Sequence, residues 1–243
     1  MAIVNGGDSG IGRAVAIAFG KEGADIVLSF LPEEQTDADD AASVIEKAGA
    51  RVVKVAGDIQ QIETIDKLIS AADNHFGRLD IVVNNAGYQM SHENIPEVSL
   101  EELDHTFRTN VFGTFLLSRA ALKKLPPGGV ILNTTSIQAY DPSPQLVAYA
   151  ATKATILSMT KNIAELAIKQ GVRVNAVAPG PVWTPLIPST MPIEKVKTFG
   201  ANTGFDRPAQ PIELAKIFVF LASDHASYVT GEAYGATGGR TPY

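Results

Sequence analysis

Tyr149 and Lys153 stand four residues apart in the stretch "YAATK". On a helix that spacing puts a phenol and an ammonium on one face. A tyrosine ordinarily titrates at about 10, too high for a ready base at neutral pH, and a nearby ammonium favours its phenolate. Between them lie only Ala150, Ala151 and Thr152, so no carboxylate is at hand locally to occupy the lysine charge. A tyrosine and a lysine at this spacing recur on many surface helices. Ser136, at the end of a preceding apolar run, adds a hydroxyl that can hold a carbonyl or alkoxide oxygen while the tyrosine exchanges its proton. The chemistry this trio could perform is proton management at a carbon–oxygen centre.

A second concentration lies at the opening of the chain, "AIVNGGDSGIGRA", where four glycines fall within seven residues. The apolar run 2–4 predicts a strand, and the apolar positions 11, 14, 15, 18 and 19 predict a helix. Glycines between a strand and a helix let backbone approach a bulky ligand, and the amides of the helix start attract phosphate.

The elements that would position these groups alternate along the chain. Strands are predicted at 24–30, in "RVVKVAGDI", "LDIVVNNAG", "GGVILNTTS" and "VRVNAVAPG". Helices are predicted up to about residue 48, in "QIETIDKLISAADNHFG", over roughly 100–124 and from about Pro144. Strands without strong polar alternation, separated by helices, predict a parallel sheet covered on both faces. The expectation is a single doubly wound α/β domain over residues 1–243, with ligands at the C-terminal ends of its strands. Polar or glycine-rich residues follow successive strands at 5–12, Asp58, 84–87, Ser136 and 179–184, and these can converge on one crevice. Taken singly, each is also an ordinary turn or helix cap, Asp58 and the Asn84–Asn85 pair included.

Composition narrows the field. The 243 residues are 45% apolar, enough for one sizeable core, and their net charge of −6 comes with no basic block. Nucleic acid is therefore an unexpected partner. The absence of cysteine excludes disulfides and thiolate chemistry. The histidines His75, His92, His105 and His225 show no metal-ligand spacing, so no metal is expected. Ser136 lacks the nucleophile-elbow pattern of a hydrolase. No run reaches membrane-spanning length and no leader precedes the glycine motif, so the expected location is the cytoplasm.

Taken together, these motifs resemble the short-chain dehydrogenase/reductase family along essentially the whole chain. "GGDSGIGRA", "LPEEQ" and "WTPLIPS" are similar to a bacterial and fungal oxidoreductase subgroup, and more distantly to glucose 1-dehydrogenases and 3-oxoacyl carrier-protein reductases. The resemblance implies a Rossmann fold and a catalytic set of Asn110, Ser136, Tyr149 and Lys153. It implies a cofactor site of Gly6, Ser9, Gly10, Ile11, Gly12, Arg13, Asp58, Ile59, Asn85, Ala86, Gly87, Tyr149, Lys153, Pro179, Gly180, Val182 and Thr184. Within that set Asp58 would stand beside the adenine, and Val182 and Thr184 would hold the nicotinamide carboxamide. The Asn110 side chain is expected to hold a water connecting Lys153 to solvent. Asn5 departs from the family's usual threonine, and the chain starts at its first strand without the extension of some relatives.

The resemblance further implies hydride exchange between nicotinamide C4 and a carbinol or carbonyl carbon, with Tyr149 transferring the proton. A cofactor-binding regulatory or structural protein is the non-enzymatic alternative. Ser29, Phe30 and Leu31 place no acid at the end of the second strand, and Arg13 offers a charge, so NADP(H) is expected ahead of NAD(H). The expected substrate wall is Gln89, Ser136, Gln138, Tyr140, Tyr149 and Trp183, with a lid over 185–205; the polar pair suggests a small polar carbonyl or polyol. Phe107, Val111, Phe112, Phe115, Leu116 and Leu122 form an apolar face, and the family habit implies a homotetramer that uses it together with a terminal strand in "YVTGEAYGATGG".

Overall fold

A computed structural model describes residues 1–240. Seven parallel strands form one sheet: β1 (Ala2–Asn5), β2 (Ile26–Phe30), β3 (Val52–Ala56), β4 (Ile81–Asn84), β5 (Val130–Thr134), β6 (Arg173–Pro179) and β7 (Ala233–Ala236). Their spatial order is β3-β2-β1-β4-β5-β6-β7. The order reverses direction beside β1, and the crevice above such a reversal is where doubly wound sheets receive ligands.

Among the described residues nine α-helices connect and cover the strands: α1 (Gly10–Lys21), α2 (Gln35–Lys47), α3 (Ile62–Phe76), α4 (Leu100–Phe107), α5 (Gly113–Ala121), α6 (Val147–Ala167), α7 (Leu186–Thr190), α8 (Ile193–Lys197) and α9 (Pro211–Ala222). Side chains alternate across each strand, so the sheet feeds two cores. Val4, Leu28, Val83 and Leu132 join Val15 and Phe19 of α1 and Phe218 and Leu221 of α9 on one face. Ile3, Val27, Val82 and Ile131 join Ile65 and Leu68 of α3, Leu117 of α5 and Ala164 of α6 on the other. Burying each of the larger side chains contributes about 1.5–3 kcal/mol, and this double burial explains why the strands read as continuous apolar runs.

At their C-terminal ends the strands turn polar in register: Asn5 of β1 lies beside Asn84 of β4, which lies beside Asn133 of β5. The Asn84 amide donates to Asn133 Oδ1 at 2.8 Å and to Ser118 Oγ at 3.0 Å, and Asn133 donates to Thr160 Oγ1 at 2.9 Å. This buried ladder ties the central strands to α5 and α6 just below the crevice.

Two expectations change in detail. The helix predicted over 100–124 is interrupted by a π-helical turn, Arg108–Phe112, between α4 and α5. The terminal strand occupies only Ala233–Ala236 of the predicted stretch.

Candidate active site

The loop after β1 is shaped by its glycines. Gly6 has φ +67° and Gly10 φ +53°, the left-handed region that side chains disfavour. A Cβ on Gly6 would lie 2.9 Å from the Ala86 backbone, and one on Gly12 would lie 1.8 Å from the Gly6 carbonyl oxygen. The loop therefore packs directly on the segment after β4 and on the start of α1. Asn85 Nδ2 donates to the Gly6 carbonyl at 3.0 Å, and the Ala86 amide donates to the Asn5 carbonyl at 3.0 Å, closing that junction.

A cavity of about 1140 Å³ opens above this junction. From one end it is lined by Asp8, Ser29, Leu31, Glu33 and Glu34; along its floor by Gly6, Ser9, Gly10, Ile11, Asp58, Ile59, Asn85, Ala86 and Gly87. Pro179, Gly180, Val182 and Thr184 continue it toward Ser136, Tyr149 and Lys153. Of the expected cofactor residues, Gly12 and Arg13 are absent from the lining. Gly12 acts through packing beneath Gly6, where no side chain fits. A glycine-shaped loop followed by a helix start whose N-cap Ser9 makes no side-chain capping bond fits the pyrophosphate of a dinucleotide, and a cavity of this volume fits its two nucleosides.

Ser136, Tyr149 and Lys153 meet as their spacing predicts. Ser136 follows β5, while Tyr149 and Lys153 share the inner face of α6, and the ammonium lies 5.3 Å from the Tyr149 ring centroid. Lys153 Nζ donates to the Thr134 carbonyl at 2.8 Å, and Thr135 Oγ1 donates to the Lys153 carbonyl at 2.7 Å. Burial dominates both ionisations. It pushes the Tyr149 phenol up to about 12 against the opposing hydrogen bond with Ser136, and pulls Lys153 down to about 8. At neutral pH the phenol is therefore protonated and can donate, and the lysine is still largely charged. Gly87 leaves room beside this pair: a Cβ there would stand 3.5 Å from Asn110 Oδ1 and 3.6 Å from Lys153 Nζ.

Other expected residues are placed differently. Asn110 is fully buried in the π turn and stands outside the cavity lining. Its Nδ2 donates to the Tyr88 carbonyl at 2.9 Å and to Thr152 Oγ1 at 3.0 Å, and its Oδ1 accepts the Tyr88 amide at 2.7 Å. The side chain expected to hold a water fastens the loop after β4 to α6 through these bonds. Gln89 and Gln138 line the cavity, yet Gln89 Nε2 donates to Thr190 Oγ1 of α7 at 2.8 Å and Gln138 Oε1 accepts the Ser143 amide at 2.6 Å. Tyr140 and Trp183 stand outside the lining. Trp183 lies between the lining residues Val182 and Thr184, beside an isolated bridge from Val182 to Ala209, and its half-exposed ring stands 6.4 Å from that of Phe199, which does line the cavity.

Sequence reading missed three charged residues on the wall. Lys195 of α8 and Arg240 line it and are paired with Glu93 at 3.2 Å and Asp141 at 2.7 Å. Asp8, inside the glycine motif, is buried and lines the opposite end. No group of acidic and histidine side chains capable of holding a metal occurs among the described residues, and no helix among them is long and apolar enough to cross a membrane.

The doubly wound sheet, the glycine-shaped crevice and the Ser–Tyr–Lys cluster together define a dinucleotide-dependent oxidoreductase. Comparison with known proteins places it more closely: a family model described as enoyl-(acyl carrier protein) reductase matches residues 6–241. The chain belongs to the short-chain dehydrogenase/reductase family. An uncharacterised oxidoreductase of Bacillus subtilis, YhdF, is 48% identical over 240 residues, covering 99% of this chain and 83% of the relative. The glucose and ribitol dehydrogenase of Daucus carota is 41% identical over 244 residues, covering 98% and 84%. Among solved structures, a short-chain dehydrogenase from Burkholderia cenocepacia in complex with NADP superposes with a TM-score of 0.91 at 26% identity, covering 98% of this chain and 96% of that one.

Proposed function

We propose that this protein exchanges hydride between a nicotinamide dinucleotide and a small polar carbonyl or secondary alcohol, with Tyr149 as the proton donor and acceptor and reduction as the working direction. The observation that carries the reading is the buried Ser136–Tyr149–Lys153 cluster at the end of the glycine-shaped cavity. A phenol held protonated at neutral pH is suited to protonating a carbonyl oxygen. Ser136 directs that oxygen, and Lys153 supplies the positive charge that stabilises the phenolate left behind. Gly6, Ser9, Gly10 and Ile11 would hold the dinucleotide phosphates, Asp58 and Ile59 the adenine, Asn85 to Gly87 the middle, and Val182 and Thr184 the carboxamide. The bound nicotinamide supplies or accepts the hydride. Of the two grounds for expecting NADP(H), the absence of an acid at 29–31 stands, while Arg13 does not line the cavity.

The substrate end is walled by Ser143, Gln145, Lys195, Asn202 and Arg240, interleaved with Leu146, Leu186, Ile187, Met191 and Phe199, together with Ser136 and Tyr149. The polar members of this mixed wall favour a small polar substrate, although Gln89 and Gln138, on which that expectation first rested, are engaged within the protein. Helices α7 and α8 lie within the segment 185–205 and form the proposed lid. The setting proposed is a cytoplasmic homotetramer of one-domain subunits, with Phe112 and Phe115 on the contact face.

A screen of nicotinamide absorbance with aldehydes, aldoses, polyols, diketones and 3-oxoacyl thioesters, in both directions, tests this reading. Tyr149→Phe should lower turnover by about 10²–10⁴-fold while cofactor affinity and melting temperature stay near wild type. Rapid glucose oxidation would assign a glucose dehydrogenase, and selective 3-oxoacyl thioester reduction a carrier-protein reductase. Cofactor binding without turnover on any class, or undiminished turnover in Tyr149→Phe, would sink the proposal in favour of a cofactor-binding regulatory protein.

A further inference from the structure

The end of the cavity farthest from Tyr149 is built from two loops. The Gly7 amide donates to the Ser29 carbonyl at 3.0 Å, which brings the glycine loop against the end of β2. In a doubly wound dinucleotide site this junction receives the ribose of the adenosine half, and the groups around it decide whether that ribose carries a 2′-phosphate.

The charged side chains lining this junction are all acidic: Asp8 from the glycine loop, and Glu33 and Glu34 from the short 3₁₀ turn that follows β2. The basic side chains in the cavity wall are elsewhere. Lys153 is fixed on the Thr134 carbonyl, Lys195 is paired with Glu93, and Arg240 is paired with Asp141. Asp8 is only 3% exposed. Glu34 Oε2 accepts the Leu31 amide at 3.4 Å, which holds its carboxyl back over the β2 end.

We infer that Asp8 and Glu34 together are the specificity determinant of this site, selecting the unphosphorylated ribose of NAD(H) and rejecting the 2′-phosphate of NADP(H). This rests on the reading of the cavity as a nicotinamide dinucleotide site and reverses the preference that residues 29–31 and Arg13 suggest. The acid that dinucleotide sites usually carry on the strand end is here displaced: one carboxyl comes from inside the glycine motif and the other from the turn beyond the strand.

Electrostatics run the same way. Asp8 titrates above the usual carboxylate range, chiefly because it is buried, with Asp37 adding to the rise and Ser9 and Arg13 opposing it. Glu34 is raised by its own burial and then by the charge of Asp8. A junction lined by several carboxyls, one of which already raises the cost of ionising the other, is a poor host for a further phosphate of about −1.5 to −2 charge. A ribose diol instead offers hydroxyl donors, which carboxylates accept. Arg13 is the weakest of the influences acting on Asp8, so its charge offsets the acids only in part.

The test uses ADP-ribose and its 2′-phosphate as probes, because neither contains the nicotinamide ring and neither depends on turnover. Calorimetric titration of the intact protein should give tighter binding of ADP-ribose, and the same order for NADH over NADPH. Asp8→Asn and Glu34→Gln should each raise affinity for the 2′-phosphorylated probe relative to the plain one by about tenfold, with melting temperatures near wild type. Should Asp8→Asn fail to fold, Glu34→Gln carries the test, since Glu34 is partly exposed and glutamine retains an acceptor for the Leu31 amide. A wild-type preference for the phosphorylated probe, or an unchanged ratio in both folded variants, overturns the inference while leaving the enzyme assignment standing. Failure of the wild type to bind any of the four ligands overturns both.

Discussion

Lys153 and Tyr149 occupy the same buried corner, and burial moves their ionisations in opposite senses. The phenol rises to about 12 and the ammonium falls to about 8. For Lys153 the folded state holds its proton less tightly than the unfolded chain does. Charge on Lys153 is thus a stability cost present below about 8, and relief comes as pH rises from there toward the ordinary lysine value. Turnover responds the other way. Reduction needs the Tyr149 proton, available across the neutral range, and the Lys153 charge, which is lost above about 8. Reductive kcat should therefore hold to about pH 8 and then decline, the fall tracking one ionisation. A pH–rate profile with saturating reduced cofactor checks this; a rate that keeps rising through pH 9–10, in the manner of a simple base, would contradict the assigned roles. The chemistry-bearing residues were legible because their relation is local: Tyr149 and Lys153 are one helical turn apart, and Ser136 ends a strand. Asp8 was not, since only the folded loop shows that an aspartate among glycines is buried in the cavity wall.

At the scale of elements, the π turn at Arg108–Phe112 shows how the site is braced. It places Asn110 so that the amide engages both the N–H and the C=O of Tyr88 while also reaching Thr152 on α6. The segment after β4, which lines the middle of the cavity, is thereby tied to the helix that bears Tyr149 and Lys153. Asn110→Ala removes three hydrogen bonds at a fully buried position and strands the Tyr88 amide. The variant should lose about 2–3 kcal/mol of stability in denaturant unfolding and bind cofactor more weakly. Unchanged stability would show that the bridge is dispensable. Helical periodicity predicted one continuous helix here, because a π turn adds a residue without altering the apolar pattern enough to register. The alternation of βα units was legible for a simpler reason, the double burial of every central strand. The substrate wall was the least legible part. Trp183 was expected on the wall from its residue type, whereas the residues beside it that line the cavity are Val182 and Thr184, with Val182 held by a long-range bridge to Ala209.

For the whole molecule, the same helical pair has a second face to account for. Leu116 and Leu122 of the predicted apolar face pack against the core shared by α3 and the sheet, and Val111 is buried. Phe112 and Phe115 are not: they remain 48% and 46% exposed, with Leu100 and Leu103 exposed on the preceding turns of α4. Packing within the subunit thus explains half of the face and leaves two phenylalanines, one of them under the Arg108 guanidinium, and two leucines exposed along α4, the π turn and α5. Exposed aromatic and aliphatic side chains gathered in this way favour contact with another protein surface over contact with water. A second copy of the chain is the proposed partner, because like helices can pair across a two-fold axis with the same residues on both sides. Phe115→Glu sets two carboxylates against each other across such an axis and removes apolar area, yet leaves the cavity lining untouched. Light scattering coupled to size exclusion should find the wild type as a tetramer and Phe115→Glu as dimers or monomers that still bind cofactor. A wild type that elutes as a monomer, or a variant that remains tetrameric, would remove this face from the assembly.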